Sequence, residues 1–252
     1  MSSFYLLAFA LLLPAVLGHN AIQHDCSVFN FYGISPYKSN LKDLMSCLLD
    51  QTPATGFVTY TVGSFPNRVY GLALCRGDIQ AKDCGTCITE ATREIQNLCP
   101  SSRSAIMWYD NCMIRYSPVE FSGSVDYKHY YHKYNVYNKI KYRAYFVERR
   151  NMFLRELVRQ VDANPKLYAT AEMEFGSSTF YGLVQCTRDL SRAECKRCLN
   201  TAIRMYRKSG DDMATGWFGF RSCNLRYETY PFCEDLSKWN SNLMNKFGRK
   251  ST

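Results

Sequence analysis

Apolar residues recur along this chain with helical spacing in some stretches and as short unbroken runs in others. Leu41, Leu44, Met45, Leu48 and Leu49 fall at i, i+3, i+4, i+7 and i+8, which puts them on one face of a helix. A second helix is predicted from Cys84, Cys87, Ile88, Ala91, Ile95 and Leu98. Around these stripes lie runs that read as strands: "FVTYTV" between Gly56 and Gly63, "VYGLALC" ending at Cys75, and "AIMWYDNCMIRYS" from Ala105. The same order returns further along. Leu154, Leu157, Val158 and Val161 form one stripe, then comes "FYGLVQC" ending at Cys186. Cys195, Cys198, Leu199, Ala202 and Tyr206 form the next stripe, followed by "GWFGFRSCNLRYE". Two helices with several strands in each set predict an α+β fold, the helices packed on one face of an antiparallel sheet.

The two sets superpose residue by residue. Tyr70-Gly71-Leu72 becomes Tyr181-Gly182-Leu183 under a shift of 111 positions. The same shift carries Cys75, Cys84, Cys87 and Cys112 onto Cys186, Cys195, Cys198 and Cys223, Asp78 onto Asp189, and Phe121 onto Phe232. No gap is needed across this span, so the chain is a duplicated domain. The first copy is expected at 21–125 and the second at 128–236. The link from Lys128 to Glu148 is rich in Tyr and Lys rather than Gly, Ser or Pro, and is expected to be largely structured.

Both ends of the chain differ from the repeats. Residues 1–18 carry an apolar run, then Val16 and Gly18 at the −3 and −1 positions, the form of a secretory signal peptide. Residues 237–252 are a polar, basic tail, and no second apolar run long enough to span a membrane follows the leader. A secreted, extracellular protein is expected. Nucleic acid is excluded as a partner on that ground, and the absence of any Asn-x-Ser/Thr triplet predicts no N-glycosylation. The net charge of +9 is uneven: residues 19–127 hold 8 Lys+Arg against 10 Asp+Glu, and residues 128–252 hold 23 against 12.

The chain has 12 cysteines, which in an oxidising compartment points to disulfides. A Cys-x-x-Cys pair also occurs in zinc sites and in thiol-disulfide enzymes. Zinc asks for four ligands at close spacing, and each copy offers one pair with no histidine motif. A redox pair needs an exposed first cysteine, and here both members lie on the apolar stripe of a helix. A structural framework is therefore the reading adopted. Cys26 and Cys99 are both without a counterpart in the second copy, so they are expected to bond to each other. Cys75, Cys84, Cys87 and Cys112 allow three pairings, among which spacing does not choose. Cys47 and Cys233 are left unassigned: bonded across the domains, free, or paired between chains.

The Cys-x8-Cys-x2-Cys core, "YGLALCRGD", "SCNLRYE" and the tandem arrangement resemble the plant cysteine-rich repeat secretory proteins, built from ginkbilobin-like, stress-antifungal domains. The resemblance covers nearly the whole mature chain. It implies two helices against a five-stranded antiparallel sheet in each copy, and a role in plant defence or stress response. It also implies Cys26–Cys99, Cys75–Cys84 and Cys87–Cys112, and by analogy Cys186–Cys195 and Cys198–Cys223. The family's sugar-binding member holds mannose with an Asn, an Arg and a Glu. Ser27, Ile106 and Ser117 stand at those positions in the first copy, and Trp217 and Glu228 at the last two in the second. Only Glu228 survives, and its plain reading is an exposed strand residue paired with Arg226 or a neighbour.

No catalytic constellation stands out. His19, His24, His129 and His132 have no nucleophile motif beside them, and no phosphate loop or metal motif appears. A non-enzymatic binding module without a cofactor is expected. A thiol-disulfide redox protein or another secreted enzyme is the alternative. "RGD" at residues 76–78 resembles an adhesion tripeptide, but the recurrence of Asp78 as Asp189 assigns the aspartate to the scaffold. Lys139, Lys141, Arg143, Arg149, Arg150, Arg155 and Arg159 face only Glu148 and Glu156 in one segment. Such a field attracts acidic polysaccharide or an anionic membrane surface, or is simply a solvated face, and Arg149, Arg150 and Glu228 are the candidate ligand contacts. The candidate partners are a glycan, an acidic polysaccharide or an extracellular protein.

Overall fold

The computed structural model describes residues 22–33, 35–134, 143–209 and 213–234. The expected leader and tail, and Lys139 and Lys141, lie outside the described residues, as does the side chain of Arg143. The first domain runs β1 (Gln23–Cys26), α1 (Pro36–Thr55), β2 (Phe57–Val62), β3 (Val69–Cys75), α2 (Ala81–Leu98), β4 (Ala105–Trp108) and β5 (Cys112–Ser117). The second runs β6 (Tyr130–Tyr134), α3 (Arg143–Gln160), β7 (Tyr168–Phe175), β8 (Ser178–Cys186), α4 (Arg192–Ser209), β9 (Gly216–Phe220) and β10 (Cys223–Glu228). Each domain is two helices against a five-stranded antiparallel sheet, in the orders β1-β4-β5-β3-β2 and β6-β9-β10-β8-β7. Strand β6 takes up part of the Tyr-rich link and pairs with β9.

Local chemistry sets the helix ends. Ser35 caps α1, its Oγ accepting from Lys38 N at 3.2 Å, and Pro36 opens the first turn. Gly56 closes it in the left-handed conformation at φ 72°, donating to Thr52 O at 2.7 Å. Leu41, Leu44, Met45 and Leu48 are buried, whereas Leu49 is 36% exposed and Leu98 is 43% exposed. Leu49 sits at the flank of its stripe, and Leu98 is the last residue of α2, where the chain turns away from the sheet. Helix α3 stops at Gln160, and Val161 reaches the core from a 3₁₀ turn instead. Helix and sheet approach closely at one repeated glycine. A Cβ on Gly71 would lie 2.6 Å from the Leu44 side chain, and one on Gly182 would lie 2.4 Å from Phe153.

Five disulfides fasten this frame: Cys26–Cys99, Cys75–Cys84, Cys87–Cys112, Cys186–Cys195 and Cys198–Cys223. In each copy one bond ties the end of a central strand to the first turn of the second helix. The next ties that helix to the following strand. Cys47 and Cys233 are free thiols, so no bond crosses between the domains at these two positions.

The sheets are buried on both faces. On β3, Val69, Ala73 and Cys75 pack under the helices, while Leu72 and Leu74 point the other way. Those two, with Ile106, Trp108, Met113 and Phe121, meet Tyr131 and Trp217 of the second domain. Four of the polar contacts are isologous, made at positions that exchange between the copies. Glu234 N donates to Asp78 Oδ2 at 2.8 Å, and Gly123 N donates to Asp189 Oδ2 at 2.8 Å. Lys166 Nζ reaches Gly77 O at 2.6 Å, and Arg188 Nη1 reaches Thr55 O at 2.7 Å. All four pairs obey the shift of 111 positions, so a pseudo-twofold axis relates the domains.

Candidate functional site

The Cys-x-x-Cys pairs carry no exposed thiol, and of the two free cysteines Cys47 is half-buried and Cys233 buried. Cys84 and Cys87 are 1% and 0% exposed, and each is bonded outside its own Cys-x-x-Cys. The second copy repeats this with Cys195 and Cys198. The Cys233 thiol is buried beside Tyr168 and Leu183, and burial pushes it up to about 12. Among the described residues no group of three or more His, Cys, Asp or Glu could hold a metal ion. His129 pairs with Asp126 at 2.6 Å rather than with a nucleophile.

The polar candidates separate once folded. Asp78 of the "RGD" is buried, bound to Arg76 Nε at 2.7 Å and to Glu234 N, so it is a domain clamp. Glu228 is not the exposed strand residue expected. Its side chain is 13% exposed and is paired with Arg226 Nε at 2.9 Å, and burial raises its carboxyl above the ordinary value. Ile106 and Trp217 are buried between the domains, where Trp217 lies under Arg226 at 4.8 Å. Arg150 is interior, 1% exposed, donating to Tyr227 Oη at 3.2 Å and lying over the ring of Tyr206 at 5.0 Å. It supports the core and has no surface to offer a ligand. Arg149 stands on α3, half-buried.

An open cleft forms instead beside the second pair of helices. It has a volume of about 690 Å³ and is lined by Tyr127, Arg155, Arg197, Asn200, Thr201 and Arg204. Helix α3 supplies Arg155 from its exposed face. Helix α4 supplies Arg197, Asn200, Thr201 and Arg204, at i, i+3, i+4 and i+7. Arg204 Nη2 donates to Thr201 Oγ1 at 2.7 Å, which leaves its other donors for a ligand. Arg197 meets Glu194 only at 3.9 Å and is 71% exposed. Tyr127, 43% exposed, is held edge-on by Phe220 at 5.2 Å and offers a ring face. Three guanidiniums around a wet cleft suit planar anions such as carboxylates, which they bind through paired N–H donors. Of these residues only Arg155 belongs to the basic segment read from the sequence. The helical i, i+4, i+7 spacing of Arg197, Thr201 and Arg204 was the signal for the rest.

Two small disulfide-stapled domains clasped through their sheets are the build of a secreted extracellular protein. Comparison with known proteins makes the assignment specific. The salt stress response/antifungal family matches residues 25–118 and 133–230, and the chain belongs to that family. It is 41% identical to cysteine-rich repeat secretory protein 38 of Arabidopsis thaliana, over 83% of this chain and 84% of that one. It is 40% identical to an antimicrobial ginkbilobin-2-like protein of Castanea crenata, over 92% and 96%. Among solved structures, the tandem DUF26 ectodomain of the Arabidopsis thaliana cysteine-rich receptor-like protein PDLP8 superposes with a TM-score of 0.74. It is 24% identical, covering 84% of this chain and 100% of that one, and shows the shared fold. Among the described residues no helix is long and apolar enough to cross a membrane.

Proposed function

We propose that this protein is a non-enzymatic binding module of the plant apoplast, acting in stress or defence, whose ligand is an acidic cell-wall polysaccharide. The observation that carries the reading is the convergence of Arg155, Arg197 and Arg204 beside Tyr127 in one open cleft. Uronic-acid chains present carboxylates for the guanidiniums and pyranose faces for the tyrosine. The relatives' secretory and antimicrobial names support an extracellular role. The sealed Cys-x-x-Cys pairs oppose a thiol-disulfide activity. Mannose is not the expected ligand, because Ile106, Trp217 and Glu228 are occupied by packing or by pairing with Arg226.

The test is binding of the folded protein to de-esterified pectin, with mannan as the neutral comparison, at low and physiological salt. Pectin binding that weakens as salt rises and is reduced at least about tenfold by Arg197→Glu with Arg204→Glu is expected. Arg150 is unsuitable for this charge reversal, since the change would strike the core. Equal binding to mannan, or no pectin binding at low salt, refutes the proposal.

A further inference from the structure

The first domain carries a second, chemically different concavity, of about 480 Å³, between the N-terminal half of α1 and the end of α2. Its floor is apolar: Phe31, Leu41, Cys99 and Tyr116 line it and are each buried. Its rim is cationic. Lys38 and Lys42 lie one helical turn apart on α1, both exposed, and neither ammonium has an ion-pair or hydrogen-bond partner among the described residues. No Asp or Glu lines the groove, whose remaining polar side chains are Ser35, Ser39 and Gln96. An apolar floor of this size with a few convergent polar groups is the usual form of a small-molecule site.

The related groove is differently built in the second copy. Counted back from the buried stripe that pairs Leu44 with Leu157, the positions of Lys38 and Lys42 are taken by Asn151 and Arg155. Position 37 there is Arg150, which lies over Tyr227, the counterpart of Tyr116. The two domains therefore do not offer the same ligand surface, although they share one frame.

We infer that this groove binds a small amphipathic carboxylic acid, its apolar body on Phe31, Leu41 and Tyr116 and its carboxylate between Lys38 and Lys42. The placement follows from the residues. A wholly apolar guest leaves the ammonium pair unused, and a wholly polar anion leaves the floor wetted. An acid with a hydrocarbon or aromatic body satisfies both. The inference does not depend on the cleft of the second domain, which faces a polymer and lies on other helices.

Octanoate and 1-octanol, which share a chain and differ in charge, are the probes, titrated calorimetrically into the full-length mature protein. Octanoate is expected to bind at least about tenfold more tightly than octanol. Lys38→Gln with Lys42→Gln should remove most of that difference while leaving octanol within about twofold. Ser39→Trp changes an exposed position and should fill the groove, abolishing both. Phenylpropanoate in place of octanoate separates an aromatic acid from an aliphatic one. Pectin binding should be unchanged in these variants, so either site can fail without the other. Equal affinity for acid and alcohol, no binding of either, or octanoate binding indifferent to the lysines and to Ser39→Trp overturns the inference.

Discussion

Replacing Arg226 by methionine tests how the domains are held together. The Arg226 side chain is 8% exposed and lies in the sheet face that meets the first domain. Its Nε donates to Glu228 at 2.9 Å, its Nη1 to Asp110 across the interface at 2.7 Å, and its Nη2 to Tyr230 Oη at 3.1 Å. The guanidinium also lies over Phe232 at 4.2 Å. Methionine keeps much of the volume and removes the charge. Asp110, 53% exposed, is left in water and adds little. Glu228, 13% exposed, is left as a buried carboxylate without its paired cation, with only the more distant charge of Lys133 acting on it. Breaking a buried pair from one side costs ~3–5 kcal/mol, and with some solvent reaching both groups about 3 is expected. For a chain of this size that corresponds to a Tm lower by roughly 6–12 °C.

The pH dependence gives the refutation. Burial already raises the Glu228 carboxyl. A group raised in the folded state stabilises most below its unfolded value, ~4.3 for Glu, and loses that as pH rises through the folded value. Removing Arg226 raises Glu228 further and widens this window. The variant should therefore be closest to the native protein near pH 4 and furthest from it at pH 7. Adding Glu228→Gln should recover most of the loss at pH 7. Thermal unfolding of the four proteins at both pH values closes the cycle. A deficit of the same size at both pH values, or no recovery in the double variant, would show that the loss is packing and not an orphaned charge.

Two further expectations concern the cysteines. Cys75→Ser or Cys186→Ser strands a buried thiol in its partner, and a native disulfide in a small secreted domain is worth ~2–5 kcal/mol. Secreted yield should fall sharply, and peptide mapping of the native protein that joins Cys84 to Cys87 would contradict the framework. Burial pushes the Cys233 thiol up to about 12, so at pH 8 it stays in the unreactive thiol form. Iodoacetamide should label half-buried Cys47 first and Cys233 only after unfolding, and prompt labelling of Cys233 in folded protein would refute its placement.

The helices were legible because each buries one stripe. The 3.6-residue period survives in Leu41, Leu44, Met45 and Leu48, and all are buried. The strands carried a subtler signal. "VYGLALC" and "AIMW" do not alternate apolar with polar, as a sheet with one wet face does. That missing alternation marks the clasp of the two sheets, yet taken alone it reads only as a strong strand. The Asp78–Asp189 recurrence was legible as scaffold, but its partners, the backbone N–H groups of Glu234 and Gly123, carry no sequence identity to read. The basic segment misled at Arg150 because charge in a sequence does not reveal depth. A guanidinium surrounded by Tyr206, Tyr227 and Asn151 is accommodated in a core. The α4 arginines were missed because they are scattered in the sequence and gather only at helical spacing.

Duplication explains why two small domains form one unit. Each copy has its own helix-covered core and its own disulfides, yet each leaves the far face of its sheet apolar. Alone, the first domain would expose Leu72, Leu74, Ile106, Trp108 and Met113 to water, a patch of the kind soluble monomers avoid. The pseudo-twofold clasp covers it with the matching face of the second copy. Symmetry is kept where the contact is backbone, as at Asp78 and Asp189, and lost where it is side chain. Arg226 meets Asp110, but the exchanged pair is Arg115 with Arg221, two cations. Arg221 turns to Asp25 at 2.5 Å and Asp126 at 3.3 Å, and Arg115 lies over Phe121 at 3.9 Å. Burial, then repulsion from Arg221, lowers the Arg115 guanidinium to about 10. Each half of the interface thus carries its own ion pair across the domains, Arg226–Asp110 in one and Arg221–Asp25 in the other, and the axis does not relate the two pairs. Divergence of that kind is tolerated because the shared apolar face, rather than any one polar contact, carries the association. It leaves the helix-side surfaces of the two copies free to diverge.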